Sequence, residues 1–156
     1  MTRDDGIPMH PIGLVRGGRV QATKDHWGDN RCWIDLDARF SADAFAGLQE
    51  VSHIEVLFYF HIDADEPVEW GARHPRGRQD WPRVGIFAQR GRMRPNRIGA
   101  SICRLIEVRQ TSVAVLGLDA VDGSPVLDIK PVWRGYLPTT EVREPGWAAE
   151  IMSSYW

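Results

Sequence analysis

Along most of this chain the apolar positions recur with the short period of β-strands. The run Ser52–Ile62, SHIEVLFYFHI, is rich in β-branched and aromatic residues, contains no Gly or Pro, and predicts a long central strand. Val84–Ala88, Ile98–Arg109 and Ser112–Leu118 continue the series, and shorter strands are predicted at Ile12–Arg16, Arg31–Leu36 and Val126–Ile129. Turn formers stand between them: Gly17-Gly18, Gly28-Asp29-Asn30, Pro95-Asn96 and Asp122-Gly123. Two segments read as helix. Ser41–Leu48 opens on an N-cap serine and sets Phe45 and Leu48 on one face, and Pro145–Tyr155 opens on proline and carries Trp147, Ile151, Met152 and Tyr155. Many short, closely spaced strands with little helix predict an all-β, mainly antiparallel domain, a barrel or a sandwich, with one or two peripheral helices.

A chain of 156 residues suits one domain with a single core, and no internal repeat or linker interrupts it. No window approaches the roughly 18–20 apolar residues of a membrane span, and Met1–His10 has mixed charge without an apolar signal region. Cys32 and Cys103 form no CxxC and sit in apolar strands, which predicts buried free thiols and a cytoplasmic setting. The net charge of −2 argues against a nucleic-acid binder, but it hides an asymmetry. Arg73, Arg76, Arg78, Arg83, Arg90, Arg92, Arg94 and Arg97 crowd one stretch that has no lysine and only Asp80 as an acid. Either these guanidinium groups form an anion-binding face, or they are surface groups paired with acids elsewhere in the fold. Within that stretch Arg73–Arg83 has no strand pattern and reads as an extended loop of functional kind.

The absences narrow the chemistry. No glycine-rich phosphate loop and no G-x-G-x-x-G follows a strand, so a nucleotide-like cofactor would be held in another way. His53 and His61 share a strand face but would lie about 26 Å apart at ~3.3 Å per residue, and no other set has metal-ligand spacing. Ser52 and His53, adjacent on a predicted strand, should point to opposite faces and not bond. Two segments break local rules. Arg90–Gly99 (RGRMRPNRIG) alternates arginine with turn formers, and Gly117–Pro131 (GLDAVDGSPVLDIKP) threads three aspartates and a lysine through an apolar run. Asp122-Gly123 makes a good hairpin turn, and Asp128 with Lys130 on one strand face either pair together or mark a site or subunit interface.

These two segments resemble the signatures of the TrmO/YaeB (TsaA-like) family of β-barrel S-adenosylmethionine-dependent methyltransferases. VGIFAQRGRMRPNRIGAS resembles one signature, LDAVDGSPVLDIKP another, SHIEVLFYFH a third, and PIGLVR the first strand. The resemblance covers about residues 11–133 of a single domain and leaves 134–156 as a C-terminal extension with a short helix. It implies a six- to seven-stranded barrel that forms a homodimer and binds S-adenosyl-L-methionine near the subunit interface. By motif match it implies cofactor contacts from His61, Ile62, Arg90, Ile102, Leu118, Asp119, Ala120 and Val121. Asp122 or Asp128 is the expected base, Asn96 the expected acceptor-orienting residue, and Arg92, Arg94, Arg97 and Lys130 the expected substrate contacts; no metal is expected. The loop after the first strand also contributes in relatives, and here it is the differing Lys24-Asp25-His26-Trp27-Gly28.

The implied activity is N-methylation of a threonylcarbamoyl-adenosine in a tRNA anticodon loop. Two further readings stay open: methylation of a small anionic metabolite, and a non-catalytic barrel that binds the cofactor or RNA. The departures bear on this choice. Gly91–Gly99 reads GRMRPNRIG where the family has Ser-Pro-Phe-Arg-Pro-Asn-Pro-Ile-Gly, so the substrate side is rewritten in arginine while the cofactor segment is kept.

Overall fold

The computed structural model describes residues 6–156; the first half of the opening segment read for a signal, 1–5, lies outside the described residues. Six antiparallel strands close into a barrel. They are β1 (Gly13–Arg16), β2 (Arg31–Leu36), β3 (His53–Tyr59), β6 (Ile98–Arg109), β7 (Ser112–Leu116) and β8 (Pro125–Pro131), joined in the order β1-β2-β7-β6-β3-β8. Two further strands, β4 (Ala72–Arg73) and β5 (Val84–Gly85), pair with each other outside it. Closure removes free sheet edges, and the inward side chains fill a dry core. Val15, Ile34, Ile54, Val56, Phe58, Cys103, Val113, Val115 and Val126 make that core, each at alternate positions of its strand.

The alternation explains why β2 and β6 begin and end where the pattern predicts. The expected all-β barrel with small peripheral helices is the observed architecture, with six strands. Cys32 and Cys103 are free and buried, and burial pushes both thiols up to about 12, so neither is a thiolate at neutral pH.

Four local expectations change. The strand expected to Ile62 stops at Tyr59, because Phe60–Asp63 turn away to line a cavity and the acids at 63–66 form successive turns. Val84–Ala88 is a strand for two residues only; Ile86–Ala88 is a 3-10 turn with Ile86 buried, and the Gln89 side chain ties it to the carbonyls of Arg73 and Val84. Ser41–Leu48 forms no α-helix. Ser41 does cap Asp43, but Gly47 at φ +83° splits the segment into 3-10 turns at Ala42–Phe45 and Leu48–Glu50. Ser52 Oγ lies 2.7 Å from His53 Nδ1, against the opposite-faces argument, since Ser52 precedes β3 and is not held in its pleat.

The C-terminal helix is α1 (Gly146–Met152), within the predicted 145–155. No helix among the described residues is long and apolar enough to cross a membrane.

Candidate functional site

The ends of β1, β3 and β7 and the starts of β2, β6 and β8 meet at one end of the barrel. There a cavity of about 1090 Å³ opens, close to the upper end of ordinary ligand sites. Phe58 and Phe60 form its inner wall, stacked edge-on with ring centroids 5.2 Å apart. Gly99 keeps this wall close to the backbone, because a Cβ there would sit 2.5 Å from the Phe58 ring. Segment 119–121 between β7 and β8 forms the floor, and loops 22–27, 73–77 and 87–96 line the rest, the last two joined by the Gln89 side chain donating to Arg73 O.

Asp119 is the best-defined polar group of the floor. Its Oδ1 accepts the hydroxyl of Ser101, a buried residue on the inner face of β6, and its Oδ2 accepts the hydroxyl of Tyr155. Two neutral donors fix the carboxylate, which retains further acceptor capacity, and Asp119 is part of the cavity lining. Burial, with Asp119 close by, holds the Tyr155 phenol far above its usual range, so it stays a donor. The floor itself is latched by Asn30. Its buried amide donates to Leu118 O at 2.7 Å, its Oδ1 accepts Arg19 N at 3.0 Å, and its own carbonyl accepts Gly117 N at 3.0 Å.

The arginine stretch divides along both readings offered for it. Arg73, Arg76, Arg90, Arg92 and Arg94 line the cavity. Arg78 instead pairs with Asp80 and stacks 3.9 Å from the Trp81 ring centroid, and Arg97 is buried, donating to Glu66 O. Within the cavity, Arg90 donates to Ala100 O at 2.7 Å, Arg94 to Gln89 O at 2.8 Å, and Arg92 pairs with Asp63 at 2.8 Å. Arg76 grips both oxygens of Asp25, at 2.8 and 3.2 Å, and holds that carboxyl below the usual carboxylate range. Two buried nitrogens here have no partner, His61 Nδ1 and Arg73 Nε. Buried polar atoms are normally satisfied, so these are places where a ligand would complete the site. Aromatic walls, one fixed carboxylate and several guanidinium groups suit a ligand with a ring, a cationic group and an anionic group.

Of the residues expected at the site, His61, Ile62, Arg90, Asp119, Ala120, Val121, Asn96, Arg92 and Arg94 line this cavity. Others are placed elsewhere, for identifiable reasons. Asp122 accepts Gly17 N at 2.7 Å and braces the turn after β1 beside a separate, shallower depression. Asp128 and Lys130 pair with each other at 2.5 Å on β8 away from the cavity. Arg97 is consumed by the 94–97 turn, where Asn96 and Arg97 both have positive φ, +63° and +50°. Leu118 is a core residue whose carbonyl is taken by Asn30, and Ile102 projects outward from β6, 47% exposed. Sequence reasoning missed Asn30, Ser101 and Tyr155. Asn30 was legible only as part of a turn, Ser101 as a strand residue, and Tyr155 as helix packing.

The family model described as "tRNA-methyltransferase O N-terminal domain" matches residues 20–137. A probable S-adenosyl-L-methionine-binding protein of Methanothermobacter thermautotrophicus is 42% identical over 83% of this chain and 93% of its own length. The tRNA (adenine(37)-N6)-methyltransferase of Escherichia coli is 43% identical over 64% of this chain and 42% of its own. The crystal structure of TrmO from Pseudomonas aeruginosa superposes with a TM-score of 0.71 at 29% identity, over 89% of this chain and 62% of that one. The chain thus spans about two fifths of the length of the bacterial methyltransferases it matches. With three quarters of the sequence matched and a similar fold in a solved relative, the chain belongs to the family of tRNA-methyltransferase O N-terminal domains.

Proposed function

We propose that this chain is an S-adenosyl-L-methionine-dependent N-methyltransferase whose acceptor is the N6 atom of a modified adenosine in tRNA. The observation that carries the reading is the cavity lining: the segment Asp119–Val121, within the stretch matched to the family, shares a cavity of about 1090 Å³ with Arg73, Arg90, Arg92 and Arg94. That volume accommodates a cofactor and a base side by side. Relatives carrying the name of a tRNA (adenine(37)-N6)-methyltransferase or of an S-adenosyl-L-methionine-binding protein support the same assignment.

When bound, the sulfonium supplies an already activated methyl group, so the protein's part is binding, orientation and exclusion of water. Asp119 is suited to the cofactor's ammonium group, Arg90 or Arg73 to its carboxylate, and the backbone of Ala120 and Val121 with His61 and Ile62 to its ring. Asn96 stands at the rim to orient the acceptor, and Arg92 and Arg94 to meet phosphate. Asp122 and Asp128 have no base role in this reading: neither is among the residues lining the cavity, Asp122 accepting Gly17 N and Asp128 pairing with Lys130. The chain acts as a homodimer in this reading, and the exposed Ile102, outside its own barrel, is then a candidate contact to the cofactor of a second copy.

Incubation with methyl-labelled S-adenosyl-L-methionine and either total tRNA or a small-molecule extract tests the reading. Label in adenosine of the tRNA fraction is expected, with tRNA binding that weakens steeply with salt. Label confined to small molecules would move the acceptor to an anionic metabolite. Absence of label together with absence of calorimetric cofactor binding would overturn the assignment.

A further inference from the structure

Residues 138–156 lie beyond the stretch matched to the family model, yet part of this segment is built into the cavity. Trp147, Ala148, Ile151 and Tyr155 are its half-buried residues, and all four line the cavity. Their spacing of one, four and eight puts them along one face of α1 and its continuation. The segment is tied down at three points. Trp27 N donates to Tyr155 O at 2.7 Å and His26 N to Ser154 O at 2.9 Å, which pairs it with the loop after β1. Trp81 Nε1 donates to Glu150 at 2.9 Å, which joins it to the Arg73–Arg83 loop. Tyr155 closes on Asp119. Gly28 makes room for this course, since a Cβ there would stand 2.7 Å from the backbone of Trp156.

We infer that this segment forms one wall of the cofactor pocket, and that Tyr155 is a positioning residue which fixes Asp119 for the cofactor's cationic group. The inference rests on the cofactor reading above and adds a residue to it. Ser101 and Tyr155 take one oxygen each of the carboxylate, so the carboxylate plane is set from two sides. Ser101 comes from within the barrel, whereas Tyr155 comes from the C-terminal segment. Removing the tyrosine hydroxyl frees one side of Asp119 to rotate while keeping the ring that packs against Trp156. A phenol held protonated by burial is suited to this role and not to that of a base.

The test is a four-protein cycle on the full chain: wild type, Tyr155→Phe, Asp119→Asn and the double variant. Each is titrated calorimetrically with S-adenosyl-L-methionine, and its melting temperature is recorded without ligand. Loss of one hydrogen bond to a charged group predicts about tenfold weaker binding for Tyr155→Phe. In the Asp119→Asn background the same change should cost less than about twofold, because the group it positions is gone. An equal cost in both backgrounds would overturn the inference, showing that Tyr155 acts only through general packing. Unchanged or tighter binding by Tyr155→Phe would overturn it too, the tyrosine then being idle or competing with the cofactor for Asp119. If wild type takes up no cofactor, the functional reading itself falls and the inference falls with it.

Discussion

Asn30 holds the floor of the site, and its replacement should be felt both in stability and in binding. Its side chain is buried, 4% exposed, and joins the loop after β1 to the segment after β7. Asn30→Ala removes the 2.7 Å bond to Leu118 O and the 3.0 Å bond from Arg19 N, leaving both backbone groups without a partner. A buried polar group left unsatisfied costs about 1–3 kcal/mol. The Arg19 amide lies in a part-buried setting that water can reach, which places the sum at about 2–4 kcal/mol. In a domain of this size roughly 3 kcal/mol corresponds to a melting point lower by about 6–12 °C.

Asn30→Asp isolates the amide donor. It keeps the acceptor for Arg19 N but sets a carboxylate oxygen against the Leu118 carbonyl. Only the protonated acid can donate to that carbonyl, so burial and the facing carbonyl raise its folded pKa above the unfolded value near ~3.9. Stability from a group with a raised pKa is fully present below the unfolded pKa and is lost as pH rises through the folded one. The deficit of Asn30→Asp relative to wild type should therefore grow from pH 4.5 to pH 8, while that of Asn30→Ala stays constant. Calorimetric melting at the two pH values measures this. A loss below about 0.5 kcal/mol for Asn30→Ala, or a pH-independent deficit for Asn30→Asp, would refute the assignment of Asn30 as the latch.

Asp35, paired with Arg16 and accepting Ser112 Oγ at 2.7 Å, is held below the usual carboxylate range chiefly by the Arg16 hydrogen bond. Its contribution is present above the unfolded pKa and lost as pH falls, so the urea midpoint should drop less between pH 5 and pH 3 in Asp35→Asn than in wild type; equal drops would exclude the linkage. Gly28→Ala should displace the C-terminal segment from the loop after β1. The Trp27 amide, bonded to Tyr155 O, should then exchange hydrogen at least ~10-fold faster while β6 amides keep their rates, and unchanged Trp27 exchange would contradict the packing. Arg97→Ala should destabilise by about 1–3 kcal/mol through the lost Glu66 contact, and denaturant unfolding measures it. Arg92→Ala should destabilise by about 1–3 kcal/mol, because it leaves the buried Asp63 carboxylate without its partner, and denaturant unfolding measures it; on the proposed function it should also lower the salt slope of tRNA binding by about one, and an unchanged slope would show that Arg92 does not meet phosphate.

The strands were legible because strand period and burial are the same fact seen twice: in β2 and β6 each inward residue is apolar or small, and the pattern ends where the barrel ends. Legibility failed where an apolar run serves a cavity and not a ladder. Phe60–Ile62 continue the β3 composition but line the site, and Ile86 is buried in a turn held by Gln89, so composition alone could not place either strand end. The site was legible to the extent that it is made of consecutive backbone. Asp119–Val121, consecutive in the motif, line the cavity together, and Asp122-Gly123 makes the turn its residues suggest. Distant partners carry no such signal. Ser101, Asn30 and Tyr155 reach the same floor from separations of 18, 88 and 36 residues, and nothing in their neighbours announces the meeting.

The arginine stretch shows the same limit from the other side. A run of like charges reads as one feature in sequence, but each guanidinium is decided by the acceptor nearest to it after folding. Asp80 takes Arg78 and the Glu66 carbonyl takes Arg97, while Arg73 is left with a buried, unpartnered Nε in the cavity. Charge counted along the chain therefore overstates the surface available to an anion. Asp63 takes Arg92 and Asp25 takes Arg76, so the part that remains, Arg73 with Arg90 and Arg94, lines the same cavity as Asp119, where a zwitterionic ligand would need both signs of charge.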